Sequence, residues 1–433
     1  MRSLPLSGLS FRDRGVIVCE EANLKRNIDL EEAQELILSR VSPTAETSVT
    51  LFESLGRILS RDVPAGIQLP LFDKSPLDGY ALRAESTLDA SCSKPAKLAV
   101  IEEVPAGTVP KKFVCLGTAV KVMTGAPIPT GADVVIKYED VLRENDFISI
   151  CKPLRSGDNI IRAGEDVAKG ERVAQSGTRI TSPLIGLLAA LGIAYIPVFN
   201  KVKVAILSTG DELMDPSQVI QPGKIFNSNL HNLVAACQEM NVEPLPLGIV
   251  PDQRQQTVDI LDQAVQLADI VITTGGVSVG DFDLVPEALA EMGSTILFRQ
   301  VDMKPGSPAM VAEKNGKLIV CLSGNPAAAL VTFELIAAPV LRQMMGLRHF
   351  MPERVTGRFK GHFDKASPQR RFLRASLLPE FGNIVELTGE QGNGILKSLL
   401  NCNALIDVPA GSGPLWDGQE VSVVLLGAGQ RVH

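Results

Sequence analysis

The chain has 433 residues, 45% of them hydrophobic and 21% charged, with a formal net charge of −7 and a pI near 5.4. That length exceeds one ordinary hydrophobic core and predicts roughly two to four domains. The acidic balance excludes a generic nucleic-acid binder, so any anionic ligand must be held by local geometry and not by the overall field.

Residues 1–25 read as a loosely structured extension, because they lack the apolar core of a signal peptide. DLEEAQELILSRV carries apolar residues at helical spacing, and LFESLGRILSRDV reads as a further helix. From 64 to 180 the chain is rich in Pro and Gly, with short β-type runs such as KLAVIEEV and ADVVIKYEDV, which predicts a small β-rich domain. SPLIGLLAALGIAYIPVF (182–199) is uncharged. Thr181 or Ser182 can cap a helix with Pro183 in its first turn, and Gly192 can stop it. One short buried helix and a strand ending near Pro197 are expected, not a membrane span, which needs about 20 apolar residues in a row.

Residues 201–347 alternate strand and helix. VKVAILSTG, VEPLPLGIV, DIVITTGG and TILFRQV read as strands, and PAMVAEKNGKLIVCLSG as a hairpin. NSNLHNLVAACQEM, with Asn227 or Ser228 as cap, RQQTVDILDQAVQLA, DLVPEALAEMG and NPAAALVTFELIAAPVLRQMMG read as helices. This pattern predicts a doubly wound α/β domain with a mostly parallel sheet. The tail, 348–433, has short alternating strands and fits a compact β-barrel or sandwich.

Seven cysteines stand at 19, 92, 115, 151, 237, 321 and 402 without a C-x-x-C pair. Reduced thiols in a cytoplasmic protein are expected. With only four histidines, a Cys/His zinc site is not.

Three apolar runs end alike: in Ser208-Thr209-Gly210-Asp211-Glu212, in Thr273-Thr274-Gly275-Gly276 and in Ser323-Gly324-Asn325-Pro326. Ligands of open parallel sheets sit outside the carboxyl ends of the strands. Glycines there let backbone N–H groups approach an anion, hydroxyls add donors, and a following helix offers its positive end. Pro326 suits the first turn of such a helix. Taken singly, each loop reads equally well as a tight strand–helix turn; together, in one α/β block, they favour a phosphate cradle. None fits G-x-G-x-x-G or the Walker pattern, which weakens a plain dinucleotide or ATPase reading.

Acids accompany these loops: Asp211, Glu212, Asp252, Asp281 and Asp283 all follow strands. Magnesium typically uses roughly one or two carboxylates with substrate phosphate and water, so the cluster suits metal-assisted phosphoanhydride chemistry. Singly, each acid is more often a helix cap or a solvated charge. Lys304, in MKPGSP, can neutralise a phosphate or can be an ordinary exposed lysine. Upstream, FDKSPLDGYALR and RAGEDV crowd Asp73, Lys74, Ser75, Asp78, Arg162, Glu165 and Asp166. Asp78-Gly79 alone is also a turn signal.

The chain resembles the MoeA family of molybdopterin molybdenumtransferases, related to the E domain of gephyrin. The motifs are FDKSPLDGYALR, KVMTGAPIPTGADVVIKYEDV, RSGDNIIRAGEDV, VAILSTGDEL, DIVITTGGVSVGDFD, MKPGSP and LSGNPAAALV, in family order from about residue 26 onward. The resemblance implies an elongated subunit: a discontinuous domain over 26–63 and 167–200, a β-rich domain over 64–166, a MogA-like α/β domain over 201–347 and a C-terminal β-barrel over 348–433. It implies a homodimer with the cleft between subunits, and transient contact with the molybdopterin adenylyltransferase. The implied reaction inserts molybdate into adenylylated molybdopterin with Mg²⁺ and releases AMP and the molybdenum cofactor. By motif, Asp78, Asp166, Glu212, Asp252, Asp283 and Lys304 match functional positions, with Asp252 and Asp283 near the metal. Ser208, Thr209, Gly210, Thr274, Gly275, Gly276, Ser278, Gly280, Pro305, Gly306, Ser323, Gly324, Asn325 and Pro326 would bind phosphate and pterin. No nucleic acid and no membrane are implied.

The chain also departs from the family pattern. The usual K-P-G-K-P has Ser307 in place of its second lysine, and a lysine common four residues before Lys304 is Gln300. P-G-N-P begins here with Ser323, and Q-G-S ends with Asn393. Two positive charges are thus missing where an oxyanion should sit, each charge-assisted contact being worth roughly 1.5–3 kcal/mol. An oxyanion-inserting enzyme, for molybdate or tungstate, therefore competes with a non-catalytic pterin-binding paralogue and with another nucleotide-dependent transferase on the same fold.

Overall fold

The structure, a computed structural model, describes residues 27–277 and 284–427. Two compact units emerge: Ala45–Phe199, and the chain up to Thr44 together with the chain from Asn200 onward.

The second of these contains a six-stranded sheet in the order Glu243–Val250, Lys203–Thr209, Ile270–Thr274, Lys317–Leu322, Pro308–Lys314, Thr295–Gln300. The first four strands are parallel and the last two are added antiparallel. Ala205, Ile206 and Leu207, Ile270 to Ile272, and Ile319 to Leu322 are fully buried. Continuous apolar runs of this kind are what a sheet covered on both faces requires. The expected hairpin is present, and Asn315 and Gly316 make its turn with φ of 53° and 75°, the left-handed pair that a two-residue turn needs. The strand order reverses beside Lys203–Thr209, so a crevice opens at the carboxyl ends of that strand and Ile270–Thr274.

Asn227, not Ser228, caps the helix Ser228–Glu239: its side chain accepts from Leu230 N–H. The apolar stretch Pro326–Met344 is long and apolar enough to cross a membrane, yet 83% of that window is buried in the unit, as befits a core helix. Helix Leu30–Leu38 belongs here too and buries Leu30, Ala33 and Ile37. The tail closes as a five-stranded barrel, not a sandwich, in the order Arg354–Lys360, Ile384–Leu387, Arg371–Leu378, Ala404–Val408, Glu420–Leu425. Phe359, Leu373, Val385, Ile406 and Val423 fill it.

The other unit carries a six-stranded sheet, Val134–Lys137, Gly79–Leu82, Thr118–Val122, Ala96–Val104, Phe147–Ile150, Leu142–Glu144, and two small strand pairs. Tyr80, Leu82, Leu98, Ile136 and Ile148 form one of its cores. Three sequence expectations are corrected in this unit. LFESLGRILSRDV is not a helix beyond the short 3-10 turn Leu51–Glu53. Gly56 turns left-handed (φ 73°), and Gly56 and Leu59 N–H donate to the carbonyls of Ile180 and Thr178, so non-local pairing overrides helical spacing. Helix Ser182–Ala190 forms as expected, but only Leu188 of it is buried. Asp78-Gly79 is not a turn. Gly79 opens the strand Gly79–Leu82, and it is glycine because a Cβ would fall 2.0 Å from the Ile136 carbonyl oxygen.

Candidate functional site

The three glycine-bearing loops converge at the carboxyl edge of the α/β sheet. Gly275 (φ 89°) lies so close to the first loop that a Cβ would stand 2.5 Å from the Thr209 carbonyl oxygen. At Gly276 a Cβ would meet Thr209 Oγ1 at 2.9 Å and Val285 at 2.8 Å, and at Gly324 it would touch the Gly275 Cα at 3.5 Å. No side chain fits at Gly275 or Gly276, and that is why this strand ends in glycine, whereas a Cβ at Gly324 would make only ordinary contact. Gly210 (φ 141°) completes the first loop, and the Glu212 carboxylate folds back over it: a Cβ at Gly210 would lie 2.4 Å from Glu212 Oε2.

The hydroxyls divide into two groups. Ser208 and Thr274 are buried and hydrogen-bonded to each other at 2.9 Å, and Ser208 Oγ also donates to Asn227 Oδ1 at 3.2 Å. These side chains build the loop. Thr209 Oγ1 is buried without a hydrogen-bond partner, as are Asn227 Nδ2 and Asn229 Oδ1. Asn229 Nδ2 donates to the Gly324 carbonyl at 2.8 Å. Unsatisfied buried polar atoms are rare, and three around one crevice fit a polar ligand or ordered water. Asn229 was not legible as a site residue, and Asn227 was legible only as a cap. NSNLHN places two amides at the start of a helix beside the cradle, which is the signal that was available.

In the third loop Ser323 Oγ accepts from Asn325 N–H at 3.2 Å, and the helix Pro326–Thr332 begins directly afterward. Register carries the loop 301–307 to the same edge, since Gln300 pairs with Pro308 and Met310 with Cys321. There Gly306 (φ 90°) lies against Thr332, whose Oγ1 is itself buried and unpartnered, and near the Ala328 carbonyl. Pro305 is buried and the Lys304 side chain is exposed. The barrel contributes as well: Asn393 C=O accepts from Ala327 N–H at 3.1 Å, in the first turn of the helix that follows Ser323-Gly324-Asn325.

The barrel also holds a residue that the sequence reading did not single out. Arg374 is fully buried (0% exposed). It donates to Ser398 Oγ at 2.6 Å and to the Glu390 and Gly392 carbonyls at 3.1 Å. All these acceptors are neutral, and Nη1 has no partner. Burial pushes its pKa down, yet an arginine stays charged. Alternation in RFLRASLL gives no hint that this position is covered.

Asp211 and Asp252 meet at the first loop, with Asp211 N–H donating to the Asp252 carboxylate and Asp252 N–H to that of Asp211. Lys224 Nζ donates to the Asp211 carbonyl. Among the described residues no group of three or more His, Cys, Asp or Glu side chains could cage a metal. Two hard carboxylates without a protein cage fit magnesium, which relies on substrate phosphate and water for its other ligands. Asp283, Asp281, Ser278 and Gly280 lie outside the described residues.

In the other unit, two segments come together. Lys74 and Ile161 exchange backbone hydrogen bonds at 3.0 Å, Arg162 pairs with Asp73 at 2.6 Å, and Asp166 N–H donates to the Leu69 carbonyl. The Ala163 amide, with Arg162, holds the Asp73 carboxyl below its ordinary range. Asp78 accepts from Thr124 N–H and Oγ1 at 2.7 and 2.8 Å, which lowers its pKa too. Asp78 and Asp166 thus stand on one paired loop system.

Three family models match the chain. Residues 28–192 match the model "MoeA N-terminal region (domain I and II)", 205–343 match "Probable molybdopterin binding domain" and 356–426 match "MoeA C-terminal region (domain IV)". A molybdopterin molybdenumtransferase of Staphylococcus aureus (strain MRSA252) is 36% identical over 403 residues, covering 93% of this chain and 96% of that one. One from Staphylococcus epidermidis is 35% identical over 399 residues, covering 92% and 95%. The crystal structure of a molybdopterin biosynthesis MoeA protein from Pyrococcus horikosii superposes with a TM-score of 0.82 at 32% identity, covering 92% of this chain and 99% of that chain. The chain therefore belongs to the MoeA family of molybdopterin molybdenumtransferases, enzymes of molybdenum cofactor biosynthesis.

Proposed function

We propose that this protein takes adenylylated molybdopterin as substrate, inserts molybdate into its dithiolene, and cleaves the phosphoanhydride to release AMP and the molybdenum cofactor. The observation that carries this reading is the convergence of the loops at 208–212, 274–276 and 323–326 around three unpartnered polar atoms, Thr209 Oγ1, Asn227 Nδ2 and Asn229 Oδ1. The backbone amides and the helix start at Pro326 suit the phosphates. Asp252, with Asp211 and Asp283, would hold Mg²⁺. Bound there, the ion would neutralise charge developing on the phosphoanhydride oxygens. Lys304 supplies a cation for the oxyanion. Arg374, desolvated and incompletely bonded, is a further buried charge, held inside the barrel. Glu212 is proposed to act on the substrate as an acid beside the first loop, and Asp78 and Asp166 are proposed as functional acids of the other unit.

Homodimerisation belongs to the same proposal. It is supported by the uncharged, largely uncovered helix Ser182–Ala190, with exposed Tyr195, Phe52 and Leu55 on the same unit. Cytoplasmic location and transient contact with the adenylyltransferase that supplies the substrate complete it.

The test is to supply adenylylated molybdopterin, Mg²⁺ and molybdate and to follow AMP. Molybdate-dependent AMP release is expected. Release equal to a protein-free control, with tight pterin binding retained, would leave the non-catalytic reading, which the substitutions at Gln300, Ser307, Ser323 and Asn393 favour.

A further inference from the structure

The loop 301–307 is gripped on two sides. Ile28 N–H donates to the Gln300 carbonyl at 3.1 Å, and Asp302 N–H donates to the Ile28 carbonyl at 2.9 Å. On the other side Lys304 N–H donates to the Arg370 carbonyl, and Phe372 N–H donates to the Lys304 carbonyl, both at 2.8 Å. The main chain of Lys304 is thus laced onto the beginning of the barrel strand Arg371–Leu378.

The residue that receives the Lys304 amide is itself immobilised. Arg370 makes a two-pronged contact with Asp407, Nε to Oδ1 at 2.8 Å and Nη2 to Oδ2 at 2.7 Å. Its Nη1 reaches both Glu31 oxygens at 2.7 Å. Asp407 is 7% exposed and also accepts from Arg354 at 2.5 Å. Gln369 Nε2 donates to Asp302 Oδ1 at 3.3 Å. Three chain segments therefore meet at Arg370, the first helix and the barrel at its guanidinium and the loop at its carbonyl, beside a cavity of about 520 Å³. Such a buried pair is weak as a source of stability but strong as a source of unique geometry, and a lysine cannot reproduce the planar fork.

We propose that Arg370 and Asp407 are positioning residues that fix the register of the Lys304 loop, and with it the affinity of the site for its oxyanion. The inference rests on the reading of Lys304 as an oxyanion-holding residue. Neither side chain touches substrate in this account; each acts through the main chain of Lys304. Breaking the fork frees the Arg370 carbonyl to shift and lets the Lys304 amide exchange with solvent.

The experiment compares Asp407→Asn, Arg370→Lys, Glu31→Gln and Lys304→Ala in the full chain. Molybdate KM and kcat are read from AMP release, and amide hydrogen exchange is read at Lys304 and Phe372. Asp407→Asn and Arg370→Lys are expected to raise molybdate KM about ten-fold with kcat within about two-fold, and to speed exchange at both amides. Asp407→Glu should recover part of the loss. Wild-type KM with unchanged exchange in Asp407→Asn overturns the proposal, as does a fall in kcat alone. If the Asp407 and Arg370 variants fail to fold, Glu31→Gln, which loosens one arm, decides by the same two readouts. Lys304→Ala with wild-type molybdate KM would instead overturn the underlying reading of Lys304.

Discussion

Asp211 and Asp252 hold each other by crossed hydrogen bonds, each carboxylate accepting from the other's backbone amide, at 3.2 and 3.1 Å. Two like charges are thereby kept side by side at the mouth of the cradle, an arrangement that a divalent cation relieves. Asp252→Asn keeps the shape and the acceptor but removes a charge. Molybdate-dependent AMP release is expected to fall by roughly 10²–10³-fold, while circular dichroism and thermal midpoint stay near wild type. Near-wild-type turnover would remove Asp252 from the proposed metal site.

Gly275→Ala probes the closeness of the loops. The position has φ 89° and a Cβ would press on the Thr209 carbonyl at 2.5 Å. Backbone clash plus an unfavourable conformation should cost roughly 1–3 kcal/mol, seen as a lower denaturant midpoint, and pterin binding should weaken along with it. An unchanged midpoint would mean that the two loops part more readily than their packing implies.

Restoring a lysine tests the missing charge. In Ser307→Lys the added ammonium is expected to lower the molybdate concentration for half-maximal rate by about ten-fold, in line with a charge-assisted contact of roughly 1.5–3 kcal/mol. A titration in Mg²⁺ and substrate checks it. No change would mean that position 307 does not face the oxyanion.

The thiols should sort by burial. Desolvation pushes Cys237 and Cys321 up to about 12, whereas Cys92 and Cys115 are exposed. Alkylation of the native protein near neutral pH should mark Cys92 and Cys115 and spare Cys237 and Cys321 until denaturant is added. Peptide mapping decides; early labelling of Cys321 would mean that the central sheet opens locally.

Acid should loosen the barrel through Asp407. Burial alone would raise its pKa, but hydrogen bonds from Arg370 and Arg354 outweigh that and lower it below the ordinary 3.8. The unfolded chain therefore takes up the proton first. The stabilisation is full above 3.8 and is lost as pH falls through the lower folded value. Trp416, the only tryptophan in the chain, lies exposed in the loop before the last barrel strand with its ring against His362, and reports the barrel's unfolding. Asp407→Asn should flatten the decline in stability below about pH 4. A decline as steep as in wild type would assign the acid sensitivity elsewhere.

Much of the α/β block was legible because strands covered on both faces leave continuous apolar runs, as in VKVAILSTG and DIVITTGG, and because glycine at their ends has few other uses. The acids at 211 and 252 were legible as strand-following carboxylates, but their mutual grip was not, since it depends on two loops 41 residues apart. LFESLGRILSRDV misled because its leucines and isoleucine have helical spacing while Gly56 and distant carbonyls decide the backbone. Arg374 was invisible for a simpler reason. Nothing local marks an arginine that a barrel will enclose, and composition favours leaving it in water.

The seam between Asn393 and Ala327 is made by a carbonyl and an amide, not by a side chain. Evolution can therefore vary the residue type at 393 without unfastening the barrel from the helix it meets. The asparagine found there in place of the family's serine leaves that main-chain fastening intact.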